Sequence, residues 1–250
     1  MTKLNLLVLV LIIGITKASF AQDSSDAANK IRIAGSASLT NNGISLIPNF
    51  SLGDPAALFN LSITRGRLSF DTDFNFSLEA KPWYILYWLR YQVVNQGKFQ
   101  VGLATHLGLN FKPSDVLIDA NTGNTTITER YWVVDVSPRY SISENLAVGI
   151  YYLHSVGLDQ GTVGNSNFIT LNANFSNIQL LKDVYLAINP QIYYLKQDHP
   201  DGIYFTSTFT LSKSNCPVSI SSLLNKEIET DITAGKGFVW NISVKYSISK

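Results

Sequence analysis

Few residues in this chain could do covalent chemistry, and their spacing argues against most of it. Of three histidines in 250 residues, His154 stands beside Ser155, the pair that an activated hydroxyl and its base would form. Neighbours on a strand point to opposite faces, whereas a dyad on one strand needs i, i+2 spacing. Val156-Gly157 follows and adds no third group. Asp198-His199-Pro200-Asp201-Gly202 gathers possible metal ligands, but a turn punctuated by Pro and Gly accounts for all five. Cys216 is the only cysteine, so no internal disulfide forms, and beside Pro217 it reads as a small filler at a turn. No cysteine pair, His-x-x-x-His, EF-hand or phosphate-binding glycine loop occurs. No catalytic residue, metal or cofactor is expected, nor is enzymatic activity.

What remains is a set of charged side chains that a period of two places on common faces. In Arg67–Glu79, Leu68, Phe70, Thr72, Phe74, Phe76 and Leu78 alternate with Arg67, Ser69, Asp71, Asp73, Asn75, Ser77 and Glu79. In Phe99–Lys112, Val101, Leu103, Leu107, Leu109 and Phe111 oppose Gly102, Ala104, His106, Gly108, Asn110 and Lys112. The final strand, Phe238–Ile248, alternates from end to end. The polar faces together predict an inward set of Asp71, Asp73, Glu79, Arg90, His106, Lys112, Glu129, Asp135, Arg139 and Lys245. Such a set could line a constriction and select solutes by charge. It could equally be the paired, solvated interior that a closed barrel requires, and this second reading carries more weight. Asp71 and Asp73 fall about 7 Å apart on one face, so a cation must lie near them, with Arg90 and Lys112 as candidates.

The elements that would hold these residues are strands. Beyond a short segment at Ile31–Leu39, twelve better ones follow: Ile44–Leu52, Ala57–Arg65, Arg67–Glu79, Trp83–Gln92, Phe99–Lys112, Thr128–Ile142, Leu146–Ser155, Asn167–Leu180, Val184–Lys196, Gly202–Ser212, Pro217–Leu223 and Phe238–Ile248. Several reach 10–14 residues, the length of tilted membrane strands rather than the usual 5–6. Long connections at 113–127, 157–166, 197–201 and 224–237 alternate with short ones at 143–145, 181–183 and 213–216. Aromatic residues gather near strand ends, among them Trp83, Tyr91, Trp132, Tyr152, Tyr194, Trp240 and Tyr246, as interfacial girdles require. With Ile44–Leu52 as the first upward strand, residues 31–43 are one element too many. They become a lumen insert, a periplasmic strap or half of a bent strand.

Lys3, the apolar run Leu4–Ile15 and Ser19-Phe20-Ala21 have the form of an export signal cleaved after Ala21. Residues 1–21 are therefore expected to be removed, 22–30 to form a flexible leader, and 31–250 to form the barrel. No later stretch is apolar enough for a spanning helix, so a membrane-embedded form must be a closed barrel. The alternative is a soluble β-sandwich or lipocalin-like barrel with its apolar face inward. Basic and acidic residues number 19 and 18, which leaves no basic stripe for nucleic acid and no block for an acidic partner.

The layout resembles Gram-negative outer-membrane β-barrels over essentially the whole chain after residue 21. The Ser19-Phe20-Ala21 site and the closing strand Phe238–Ile248 carry the resemblance. That strand is similar to a C-terminal assembly signal, which normally ends in an aromatic residue, whereas this chain ends in Lys250. The whole is similar to porin-like barrels of an uncharacterised family. The resemblance implies an all-β, antiparallel transmembrane barrel of about 12 strands in the outer membrane. Lipid, small solutes and the barrel-assembly machinery would be its partners. The expected function is a narrow channel for small hydrophilic solutes. The alternatives are a non-conducting structural or adhesion barrel and, behind it, a lipid-modifying enzyme. His154-Ser155 invites comparison with outer-membrane phospholipase A and lipid A deacylase, which carry His-x-Ser, but adjacency breaks that likeness.

Overall fold

The computed structural model describes residues 30–118 and 121–249. The signal and leader assigned to residues 1–29 lie outside them. The described residues form twelve antiparallel strands: β1 Ile31–Thr40, β2 Ala56–Arg65, β3 Leu68–Ser77, β4 Pro82–Gln96, β5 Phe99–Ile118, β6 Asn121–Ser141, β7 Leu146–Gly157, β8 Asn165–Leu181, β9 Val184–Gln197, β10 Asp201–Lys213, β11 Val218–Thr230 and β12 Phe238–Ser249. Each pairs with its sequence neighbours, and β1 pairs with β12 to close the sheet. Closure leaves no strand edge unpaired.

The two ends of the barrel differ. Tight turns between β2–β3, β4–β5, β6–β7, β8–β9 and β10–β11 form one end, with left-handed backbone at Gly66, Gly97, Asp183 and Asn215. The other end, hereafter the loop end, carries the long connections 41–55, 158–164 and 231–237. The β5–β6 connection departs from the sequence reading of a loop over 113–127. The ladder runs on to the pair Ile118 and Asn121, making β5 a strand of 20 residues. That is about twice what a bilayer needs. Val116, Ile118, Thr122, Thr125 and Thr126 suit strand backbone, and a continued ladder satisfies every N–H and C=O that a loose loop would leave to water.

The first strand corrects the sequence reading. Ile31–Thr40, not Ile44–Leu52, is the first wall strand, paired along its whole length with β2. Residues 31–40 are thus neither a lumen insert nor a strap. Ile44–Leu52 alternates well enough to look like a strand, but Pro48 cannot donate to a ladder and fixes its own φ. Pro48–Phe50 instead forms one turn of 3₁₀ helix. The count of twelve survives because the two segments exchange roles.

Outward positions are apolar and open: Ile33, Leu61, Phe70, Leu103, Trp132, Ile169, Ile192 and Ile242 are each about 40–50 % exposed. A soluble barrel would have turned these residues in. So large a continuous apolar surface is not tolerated in water, whereas a lipid-facing belt requires it. The outer wall is built for lipid.

Candidate functional site

The interior is where chemistry or transport would occur, and period-two alternation sets its lining. On β5, β6, β7 and β8 the inward row includes His106, Val133, Ser155 and Ser166, each at most 7 % exposed and paired in register across the sheet. Outward neighbours such as Trp132, Tyr152 and Ile169 are open.

The expected inward charges fall into three groups. Asp71 receives Arg90 Nε at 2.8 Å on Oδ2 and the Ser62 hydroxyl on Oδ1. Arg90 also stacks over Trp88, its guanidinium carbon 3.9 Å from the ring centroid. Asp73, two residues on, is held by Asn60 Nδ2 at 2.7 Å. The second group centres on Glu129, which accepts from Asn110 Nδ2 at 3.0 Å, Lys112 Nζ at 3.1 Å and the Tyr131 hydroxyl at 3.1 Å. Lys112 therefore serves Glu129 and not the aspartates. In the third, Asp135 accepts from the Tyr151 hydroxyl at 3.3 Å. Arg139 and Lys245 line separate cavities. His106 lies against Trp88, with ring centroids 3.7 Å apart.

Glu79 is a correction. β3 ends at Ser77, and Glu79 sits in the following connection, paired with Lys81 at 2.7 Å with both side chains about three-quarters exposed. The Lys81 hydrogen bond holds its carboxyl below the usual range. Alternation over Arg67–Glu79 runs two residues beyond the strand, into a turn in which Ala80 takes a positive φ. Trp83 is a second correction. Expected in an interfacial girdle, it is 2 % exposed. A register shift between Asn75 and Phe76 opposite it turns Trp83 inward beside Tyr84, with ring centroids 4.5 Å apart.

The most consequential interior feature is the connection between β1 and β2, residues 41–55, which folds into the bore. Its neck is tight: Gly43 N donates to Asp54 O at 2.8 Å, and Leu52 N donates back to Gly43 O at 2.9 Å. A Cβ at Gly43 would meet Leu52 and the Trp83 ring at 2.9 Å, so only glycine fits there. Asn41 and Asn42 tie the neck to β12. Asn41 Oδ1 accepts from Ile242 N at 2.7 Å, and Asn42 Nδ2 donates to Trp240 O at 3.1 Å. The tip crosses to the far wall. There Leu46 O accepts from the Tyr193 hydroxyl at 2.9 Å, and Asn49 Nδ2 donates to Gln197 Oε1 at 2.8 Å. Trp83 Nε1 donates to Phe50 O at 2.7 Å.

The tip lands on an inward aromatic row. Tyr151, Phe168, Tyr193 and Tyr204 follow one another across β7–β10 with centroid spacings of 6.1, 4.9 and 4.8 Å. Leu46, Ile47 and Phe50 pack, as Tyr151 does, on the buried cluster that contains Phe168, Tyr193 and Tyr204. Inward-facing rings, unusual in a polar lumen, were the sequence signal that something apolar would cover them. On β10, Tyr204 and Thr206 lie buried on the inner face, and the Tyr204 hydroxyl stands 2.7 Å from that of Thr230 on β11.

Solved structures share this architecture. Over 87 % of this chain and 99 % of its own, the KdgM porin superposes with a TM-score of 0.54 at 10 % identity. The NanC porin gives 0.47 at 10 % identity over 87 % and 98 %. An outer membrane protein of Vibrio cholerae, OmpT, gives 0.45 at 8 % identity over 88 % and 98 %. The fold is that of outer-membrane β-barrels. Its apolar outer belt marks the chain as a membrane-spanning barrel of that fold. No family model matches its sequence, and no curated protein does.

The catalytic candidates stay apart in this barrel. His154 faces outward with Nδ1 3.1 Å from Asn167 Oδ1, whereas Ser155 is buried on the inner face. Asp198 closes a turn, accepting from the backbone of Gly164 and Asn165 at 2.8 Å each. Among the described residues no cluster of potential metal ligands forms. Cys216 is free and exposed.

Proposed function

We propose that this barrel is a narrow, non-enzymatic channel for small hydrophilic solutes, with residues 41–55 as its constriction. Its termini and tight turns would face the periplasm, and it would reach the membrane through the barrel-assembly machinery after loss of residues 1–21. The observation that carries this reading is the distribution of space inside. Cavities of about 510 Å³ and 340 Å³, lined by Gln92, Gln100, Ser137, Asn172 and Asn189 among others, occupy the turn-end half. Smaller ones flank the inward segment on separate sides, so the segment narrows the loop-end half without filling it. The mixed charges Asp71, Asp73, Arg90, Glu129, Asp135, Arg139 and Lys245 would then tune selectivity and not set one sign.

The rival reading is a non-conducting barrel, favoured by the close packing of Phe50 on Tyr131, with centroids 5.0 Å apart. Planar-bilayer recording separates the two. Discrete openings of small conductance are expected, and their absence from folded, inserted protein would remove the channel reading.

A further inference from the structure

One cavity differs from the others in chemistry. It lies in the loop-end half, between the inward segment and the β4–β7 wall, and measures about 200 Å³. Phe50, Tyr84, Trp88 and Tyr131 present four aromatic rings to it, with Ile47, Leu86, Val133 and Leu153 filling the gaps. No Asp, Glu, Lys or Arg lines it. The charges beside its lining rings are already engaged: Glu129 with Lys112, Arg90 with Asp71 and the Trp88 ring, and Asp73 with Asn60.

We propose that this cavity binds a small, uncharged aromatic molecule bearing one hydroxyl, of phenol size. The volume supports the size, since an apolar cavity of about 150 Å³ accepts benzene. Ring-lined walls favour a flat aromatic guest through edge and offset contacts. The absence of charged lining excludes an ionised one, because a buried, unpaired charge is heavily penalised. The polar handle is His106. Its Nδ1 is buried without a partner, and its Nε2 edge borders the bare Gly108, where a Cβ would come within 3.4 Å. A hydroxyl at that edge can donate to or accept from the imidazole in either tautomer. Because Ile47 and Phe50 form one wall, an occupant would brace the inward segment against the barrel. The proposal stands whether or not the bore conducts.

The test is ¹⁹F NMR of 4-fluorophenol titrated against the full protein in phospholipid nanodiscs, with empty nanodiscs as the partition control. Saturable broadening beyond that control is expected. It should weaken at least tenfold in Gly108→Leu, whose side chain would enter the cavity floor beside Leu86. It should weaken similarly in Ile47→Trp, which fills the same space from the segment and leaves the wall untouched. Folding of both is checked by the heat-dependent shift on SDS gels. At neutral pH, 4-fluorobenzoate should bind at least tenfold more weakly than the phenol. Broadening equal to empty nanodiscs, equal in wild type and a folded Ile47→Trp, or equal for the carboxylate overturns the assignment.

Discussion

The two halves of the bore are built on opposite principles. The turn-end half is lined by amides, hydroxyls and charges, and it holds the largest cavities. The loop-end half carries a row of inward aromatic rings and is crossed by a segment that packs on them. The strands are the same ones, running continuously through both halves. What changes is the residue on every second position, Asn189 and Gln191 giving way to Tyr193 and Leu195 along β9. A barrel of this size can therefore be open in one half and narrowed in the other along one axis, with no change of backbone.

Removing the segment that narrows the loop-end half should have the largest effect. Replacing residues 44–52 with a short Gly-Ser linker is expected to raise single-channel conductance several-fold, with the barrel still heat-modifiable on gels. Unchanged conductance would mean that the constriction lies elsewhere. Next comes Gly43→Val, which drives a side chain into Leu52 and Trp83. Its conductance should fall between wild type and the deletion, with larger open-state noise as the neck loosens. Tyr193→Phe removes the hydroxyl that holds Leu46 O and Asn225 Oδ1. At about 1 kcal/mol for such hydrogen bonds, it should unseat the tip only fractionally, read as faster exchange of the segment's amides.

The open half is tested by charge. Asp71→Asn with Asp73→Asn should lower cation preference by a small shift in reversal potential under a salt gradient. Face assignment is checked separately with cysteines: a water-soluble thiol reagent should modify Asp71→Cys and spare Thr72→Cys. The smallest effect concerns Asp159, whose carboxyl is held below its usual range by the Arg130 hydrogen bond. A depressed folded value means that this tie contributes above the unfolded carboxylate value, about 3.9, and is lost as pH falls through the folded one. Amide protection in residues 158–164 should be flat near neutrality and fall in strong acid, and Asp159→Asn should abolish that dependence.

Much of this was legible in the sequence because a membrane barrel imposes one rule on every wall strand. Alternation alone placed Asp71, Asp73, His106 and Asp135 on the inner face, and the bare outer face of β12 announced lipid. The rule fails wherever backbone leaves the ladder. Ile44–Leu52 obeys it by accident, since a segment lying on an apolar wall also presents every other residue, and only Pro48 betrayed it. Trp83 was misplaced by a bulge and Glu79 by a strand that ended early, both local events that periodicity cannot register. The pairing of Lys112 with Glu129 depends on which strands are neighbours and in what register, which face assignment leaves open.

The neck of the inward segment is fastened to the last strand of the chain, through Asn41 to Ile242 and Asn42 to Trp240. Residues some two hundred positions apart in sequence must meet before that fastening exists. Until the seam between the first and last strands closes, the neck lacks both of these ties, whereas the tip is held separately by Tyr193 and Gln197 of β9. The seating of the neck therefore reports closure of the sheet. A barrel stalled before closure would carry a loosened, protease-sensitive neck at 41–43, and the closed one would not. Closure is in this way written into the part that folds into the bore.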